Sequence, residues 1–141
     1  MFIDIHTHSA FPRPPKVCRV NGTTYPTPER LIEMMDANGI DKAVVLSTVS
    51  PEWRYTIVIP EEVLRIRERY PHRIIPFCNL DPRYIRNSPD SDFRPLLQAY
   101  KALGCRGVGE YIPNLPFDDP LNMNLFKQVE EVGLPLTFHI A

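Results

Sequence analysis

The chain has 141 residues, of which 43% are hydrophobic, so it is long enough to form one domain with its own core. Its formal net charge of -1 gives no reason to expect nucleic acid or an anionic membrane as the main partner. No apolar run approaches the roughly 20 residues needed to span a bilayer, and Asp4 with two histidines interrupts any signal-peptide core.

The three cysteines are odd in number, widely spaced and without a CxxC pair; they are Cys18, Cys78 and Cys105. This pattern argues against a disulfide framework and against a thiolate zinc site. It favours a reducing compartment, and the expected location is therefore the cytoplasm.

The first predicted strand, over residues 2–5, runs directly into His6-Thr7-His8. Residues i and i+2 of a strand point to the same face roughly 7 Å apart, so both imidazoles can reach one ion. Imidazole is a common ligand of zinc and related metals. The last apolar run, residues 134–139, also ends in a histidine, His139. The pattern predicts a metal site at His6 and His8.

Sixteen prolines lie mostly between periodic segments, where they punctuate the chain. Thr27 as N-cap and Pro28 at the first helical position begin a predicted helix, which residues 38–39 end. Its buried side is expected to carry Leu31, Ile32, Met34 and Met35. The apolar run over residues 43–46 is typical of a strand covered on both faces.

A longer connection follows over residues 47–59, in which Trp53 and Tyr55 either line a pocket or simply pack. The same signals predict six further elements. They are a helix from Pro60, a strand over 73–78, a helix capped by Asp92 and closed by Gly104, a strand over 106–109, a helix over 120–132 and a strand over 134–139.

Strand–helix alternation with short loops indicates right-handed βαβ units and a parallel sheet. An open doubly wound dinucleotide-binding sheet would normally place a GxGxxG turn after its first strand, where this chain has His6-Thr7-His8. A (βα)8 TIM barrel fits better, because its chemistry collects at the C-terminal strand ends, where the histidines fall. A complete barrel needs about 250 residues. Residues 1–141 are therefore expected to form about the first half, strands one to five, without an internal boundary.

Five blocks of sequence, in this order, resemble one known family. They are IDIHTH at 3–8, TPE with MMDANGIDKAVV over 27–45, YPHRIIPF with DPR over 70–83, GCRGVGE at 104–110 and GLPLTFH at 133–139. They resemble the amidohydrolase superfamily, and most closely its amidohydrolase-2 branch, which includes decarboxylases of the aminocarboxymuconate semialdehyde type. The resemblance covers essentially the whole chain.

This resemblance implies a mononuclear or binuclear metal site at the barrel mouth, acting on a small-molecule substrate. His6 and His8 match the ligands of the first strand, and His139 matches that of the fifth. Glu110 matches the end of strand four, where family members carry a carboxylate that bridges metals or contacts their ligands. Some branches use a carboxylated lysine there, but Lys101 belongs to the preceding helix. Zinc is the expected metal, with manganese and iron as alternatives.

The family also has a histidine on strand six and an aspartate on strand eight, and this chain has neither strand. It is therefore expected to be either a fragment of a longer enzyme or a truncated product. A protein that ends at Ala141 is expected to show no useful turnover unless another chain completes the barrel. Exposed edges of strands one and five would invite pairing with another copy, which predicts a homo-oligomer.

Several of these residues also have a structural interpretation. His139 lies in an apolar strand, where a core histidine with satisfied hydrogen bonds is a competitor. For Glu110 a site role and a salt-bridge role are equally expected. Asp4 is expected to orient a histidine or bond the backbone. His72 is expected in a solvated turn. The basic residues of the first loop would line the mouth or lie in solvent; they are Arg13, Lys16 and Arg19.

Three functions follow from the sequence. The first is a metal-dependent hydrolase, in which a metal-activated water attacks an amide, ester or lactone carbonyl and Glu110 is the catalytic carboxylate. The second is a metal-dependent decarboxylase on the same fold. The third is an inactive half barrel that serves as a binding or structural module. The polymerase and histidinol phosphatase family also begins with an HTHS-like strand, but the blocks after residue 27 match it less well.

Overall fold

The computed structural model describes residues 1–12, 24–51 and 57–139. Within these residues, strands and helices alternate along the chain in the predicted order. The elements are β1 (Ile3–Thr7), α1 (Pro28–Ala37), β2 (Lys42–Val45), α2 (Pro60–Arg69), β3 (Ile74–Pro76), α3 (Arg94–Ala102), β4 (Val108–Tyr111), α4 (Pro120–Val132) and β5 (Leu136–Phe138). No helix among them has the length and apolar character required to cross a bilayer.

The strands pair in chain order and in parallel. β1, β2 and β3 form one sheet, and β4 pairs with β5. A parallel bridge between Cys78 and Val108 links the two groups, so that β3 lies beside β4. A doubly wound sheet would reverse its strand order part-way, whereas a barrel adds each strand to the one before it. The topology is that of five consecutive strands of a (βα)8 barrel.

Local signals set the ends of α1 and α4. The Thr27 side chain accepts the backbone N–H of Arg30 at 3.2 Å, and Pro28 occupies the first turn of α1. Asp119 accepts the N–H of Leu121 at 2.8 Å at the start of α4. Gly133 then ends α4 with a φ of +70°, a left-handed conformation that glycine adopts without steric cost.

One expectation about the helices was wrong. Met34 is 44% exposed, because the buried stripe of α1 is narrow and is filled by Leu31 and Met35. The expected cap of α3 is present: the Asp92 carboxylate accepts the backbone N–H of Arg94 at 3.2 Å, in the first turn of the helix. The same carboxylate pairs with the Arg94 guanidinium at 2.8 Å.

The core lies mainly between the strands and the helices. One cluster joins β4 to α3 and α4 through residues such as Val108, Leu97 and Leu125. A second joins β2 to α1 and α2. Val44 in β2 and Leu46 just after it point to the opposite side of the sheet, because successive side chains of a strand alternate. They pack with Phe77 in a third cluster. The phenyl ring of Phe77 lies over Gly107, where an added Cβ would come within 2.3 Å of it.

The two outer strands of the described sheet carry exposed apolar side chains. Phe2, just before β1, is 72% exposed, and Ile5 within β1 is 73% exposed. Phe138 in β5 is 42% exposed. Within the described residues β1 pairs with β2 and β5 with β4 on one side only. Such strand edges offer unpaired backbone groups to another chain. The homo-oligomer expected from the sequence remains a prediction that these edges support.

We expect purified protein to self-associate through the β1 edge, and Ile5→Lys to shift it towards monomer, because lysine on an edge strand opposes pairing. Sedimentation velocity over a range of concentrations measures this. Ile85→Lys is the matched control, since Ile85 is also exposed, at 59%, but lies in a loop after β3. A wild-type protein that stays monomeric throughout would contradict the prediction.

Candidate metal centre

The four residues predicted for the site come from the carboxyl ends of three parallel strands. His6 lies in β1 with His8 just beyond it, Glu110 lies in β4, and His139 directly follows β5. In a barrel of this type the carboxyl ends of the strands form the mouth that carries the chemistry. The parallel arrangement of the strands therefore brings His8 and Glu110 close in space although they are far apart in the sequence.

The Glu110 carboxylate lies at the centre of this group. Its Oε1 is 3.4 Å from His6 Nε2 and 2.7 Å from His139 Nδ1, and its Oε2 is 3.1 Å from His8 Nε2. Ligand atoms of His6, His8 and Glu110 all lie within 4.8 Å of one another. His139 touches Glu110 but stands outside that set of three. The structure thus brings together all four residues, with His139 one contact further out.

Glu110 is a buried anion. Its residue is only 3% exposed, and burial by itself raises the pKa of the carboxyl. Hydrogen bonds from His8 and His139, together with the charges of His8 and His6, outweigh this effect and hold the pKa of Glu110 below its usual value. The carboxylate is therefore ionised at neutral pH. The salt-bridge role weighed for Glu110 is therefore seen in its contacts with the histidines, and its role in a metal site stays a prediction.

Ring contacts fix the orientation of His8. Its imidazole stacks on Tyr25 with ring centroids 4.9 Å apart and meets the His6 ring edge-on at 5.3 Å. His8 Nδ1 is buried and has no hydrogen-bond partner among the described residues. The other ring nitrogen, Nε2, faces Glu110 at 3.1 Å and is the atom available to the site.

A β-bulge in β4 aims Glu110 at the histidines. Between two paired positions β4 advances from Val108 to Tyr111 while β5 advances only from Leu136 to Phe138. Val108 and Tyr111 are three residues apart, yet both belong to the same buried cluster. In a regular strand they would face opposite sides, and Glu110 would share the face of Val108. One extra residue turns Glu110 to the other side.

A second register shift lies in β1, between Asp4 and Thr7. In a regular strand Asp4 would share a face with His6 and His8. The register shift interrupts the alternation of faces on which that expectation depends. The Asp4 carboxylate accepts the backbone N–H of His6 at 3.0 Å, which is the backbone-bonding role among those expected. His6 lies within the shifted segment and His8 follows it, and both rings reach Glu110.

Two buried polar residues at this end of the sheet were missed by the sequence interpretation. Ser47 follows β2 and Asn79 follows β3, and both bond to the backbone of Glu110. The available signal was a polar residue directly after an apolar strand. A polar residue there is common in barrels whether or not it contacts a site, so the signal does not identify its partner.

Other residues singled out from the sequence lie apart from the four. Lys101 in α3 donates to the carbonyl of Val132 at 2.5 Å, and His72 is exposed. Cys78 and Cys105 are free and buried. The remaining candidates fall outside the described residues; they are Arg13, Lys16, Cys18, Arg19, Trp53 and Tyr55.

Comparison with solved structures identifies the fold of this chain. No protein-family model and no curated protein sequence matches the chain. An uncharacterised TIM-barrel protein from Bordetella bronchiseptica matches with a TM-score of 0.62 and 20% identity, over 97% of this chain and 54% of its own. The fold is a partial TIM barrel. The predicted fold class is thereby confirmed.

Two enzymes of this barrel fold match similarly. A 5-carboxyvanillate decarboxylase from Novosphingobium aromaticivorans, solved with manganese and a nitrobenzoic acid, has a TM-score of 0.65 and 19% identity over 99% of this chain and 51% of its own. A probable 2-pyrone-4,6-dicarboxylic acid hydrolase from Acinetobacter baumannii has a TM-score of 0.60 and 16% identity over 99% and 49%. The chain spans about half the length of these barrels.

The bulge makes Gly109 hard to replace. Its φ is +148°, and an added Cβ would lie 2.7 Å from the carbonyl oxygen of Thr137. Gly104, with a φ of +107° and no atom closer than 3.8 Å, is the matched control. Both alanine variants carry backbone strain of about 1–3 kcal/mol, because non-glycine residues rarely adopt such φ values. Gly109→Ala is expected to lose about 1–3 kcal/mol more through overpacking.

Urea unfolding followed by circular dichroism measures the free energy of unfolding of both variants. Equal losses in Gly104→Ala and Gly109→Ala would show that the close approach of β5 at the bulge does not constrain this position.

Proposed function

We propose that this chain forms the first part of an amidohydrolase-superfamily barrel whose divalent metal ion is held by His6, His8, Glu110 and His139. The proposed reaction is hydrolysis of an amide, ester or lactone bond in a small molecule. The observation that carries this proposal is the convergence of two imidazole nitrogens and one carboxylate within 4.8 Å at the carboxyl ends of parallel strands. The five sequence blocks and the likeness to the solved barrels support the family.

The donor set suits a divalent metal. Two imidazole nitrogens and a carboxylate oxygen are ligands that zinc accepts, and these three leave a position open for His139, water or substrate. The buried negative charge of Glu110 would be offset by a cation at this point. His139, through its contact with Glu110, would act either as a further ligand or as the residue that orients the carboxylate.

We propose zinc as the first choice of metal because histidine dominates the set, with manganese and iron as alternatives. Manganese gains support from the decarboxylase structure, which contains it. A cytoplasmic location goes with this proposal, and the free thiols of Cys78 and Cys105 support a reducing compartment.

The residues would divide the chemistry among them. A divalent ion would supply a Lewis acid that lowers the pKa of a bound water towards about 7. His6 and His8 would hold the ion through Nε2, and the contact of His8 with Tyr25 keeps its ring in place. Glu110, ionised at neutral pH, is placed to accept a proton from an attacking water. His139 Nδ1 holds the Oε1 atom of Glu110 at 2.7 Å.

A decarboxylase on the same scaffold is the second candidate function. It is supported by the manganese-containing decarboxylase, which matches this chain with a TM-score of 0.65, against 0.60 for the probable hydrolase. In that reaction a ring carbon is protonated before carbon dioxide leaves. The ligand set serves both reactions, so the products must distinguish them.

Metal binding is the first test. Wild-type protein and His72→Ala are expected to bind zinc stoichiometrically in equilibrium dialysis, because His72 is exposed and lies outside the candidate site. The double variant His6→Ala, His8→Ala is expected to lose the zinc, since two of its ligand atoms are gone. Elemental analysis of the dialysed samples measures the content, and parallel dialysis against manganese compares the metals. Equal zinc in wild type and double variant would refute the site.

The reaction class is tested with metal-loaded protein. Esters and lactones are expected to release acid, whereas an aromatic carboxylate would release carbon dioxide if the second candidate is right. Glu110→Gln is expected to lower the observed rate by at least the roughly 10²–10⁴-fold that a general base usually contributes, because it also removes a charged ligand of the proposed metal. If neither product forms while the metal stays bound, the third interpretation, a binding or structural module, replaces both.

A further inference from the structure

Both backbone groups of Glu110 are held by residues of the two preceding strands. The Glu110 N–H donates to the carbonyl oxygen of Ser47 at 2.7 Å. The Glu110 carbonyl oxygen accepts from Asn79 Nδ2 at 2.5 Å. The backbone from which the candidate ligand projects is therefore fixed by contacts that do not involve its carboxylate.

Asn79 has its side-chain hydrogen bonds satisfied inside the protein. It is 1% exposed, and its Nδ2 donates to Ser47 as well as to Glu110, at 3.1 Å to the Ser47 carbonyl. Its Oδ1 accepts the N–H of Leu80 at 2.9 Å. A side-chain amide has two N–H donors, and both are used here. Only an amide in this orientation bonds the Ser47 and Glu110 carbonyls at the same time.

Ser47 offers an internal comparison. Its hydroxyl donates to the carbonyl oxygen of Phe77 at 2.7 Å, so its side chain does not bond Glu110. Only the Ser47 backbone carbonyl faces Glu110, and a substitution at this position retains it. Ser47→Ala thus removes a buried hydrogen bond beside the site without removing a contact to Glu110.

We propose that Asn79 is a positioning residue that holds Glu110 in the place where its carboxylate meets the histidines. The bulge gives the strand a turn at Gly109 and Glu110, and regular pairing with β5 is interrupted over the same residues. Asn79, which follows β3, and Ser47, which follows β2, instead supply the hydrogen bonds to the Glu110 backbone. The consequence for metal binding rests on the proposed function, whereas the consequence for the histidine contacts does not.

The experiment compares Asn79→Ala with Ser47→Ala in two measurements. The first is a ¹H–¹³C spectrum of the histidine rings without metal at one fixed pH, with His72 as the internal reference. Asn79→Ala is expected to displace the signals of His6, His8 and His139, which all contact Glu110, and to leave His72 in place. The second is zinc affinity, which is expected to fall about 10- to 100-fold. Ser47→Ala is expected to change neither.

Asn79→Asp is the second variant, because it keeps the shape and the acceptor for Leu80 while replacing the donor with an oxygen. Equal effects of Asn79→Ala and Ser47→Ala on the ring signals would overturn the proposal. If both Asn79 variants unfold while Ser47→Ala folds, Asn79 is a folding residue and the positioning role is refuted. If wild-type protein binds no zinc or manganese, the proposed function fails, and the ring signals still decide the role of Asn79.

Discussion

The contact of one buried carboxylate with three histidines organises this end of the sheet. Glu110 ties β4 to both outer strands of the described barrel, since His6 and His8 come from β1 and His139 follows β5. A buried anion is costly unless it is paired and hydrogen-bonded. Three imidazoles provide the pairing, and two neighbouring strands hold the backbone from which the carboxylate projects. The hydrogen bonds that hold the Glu110 backbone therefore also hold its carboxylate near the histidines.

Much of the fold followed from local chemistry. Proline at a helix start and glycine after its end act over a few residues, and α4 begins and ends at the predicted residues 120 and 132. The side chains that fill the buried face of a helix were less predictable. Met34 in α1 is exposed although it is apolar, since Leu31 and Met35 already fill the narrow buried stripe.

The site divides in the same way. The pair His6 and His8 was evident because two residues of one strand need no knowledge of the partner strands. The side that Glu110 faces depends on a bulge, and a one-residue shift in pairing leaves no regular mark on the sequence. Asn79 was missed for a related reason, since its partners lie on two other strands. Periodicity along one strand cannot specify contacts across three.

The pairing of each strand with its predecessor also bears on how the chain acquires this structure. β2 completes its neighbour β1 as soon as α1 has been synthesised, and each later unit adds to an edge that already exists. Short sequence separations between partners lower the entropy that must be lost before a contact forms. A growing polypeptide can therefore assemble the sheet from its amino terminus during translation. Among the described strands β5 is the last to join, so the Glu110 cluster is completed only when His139 meets strands that precede it in the chain.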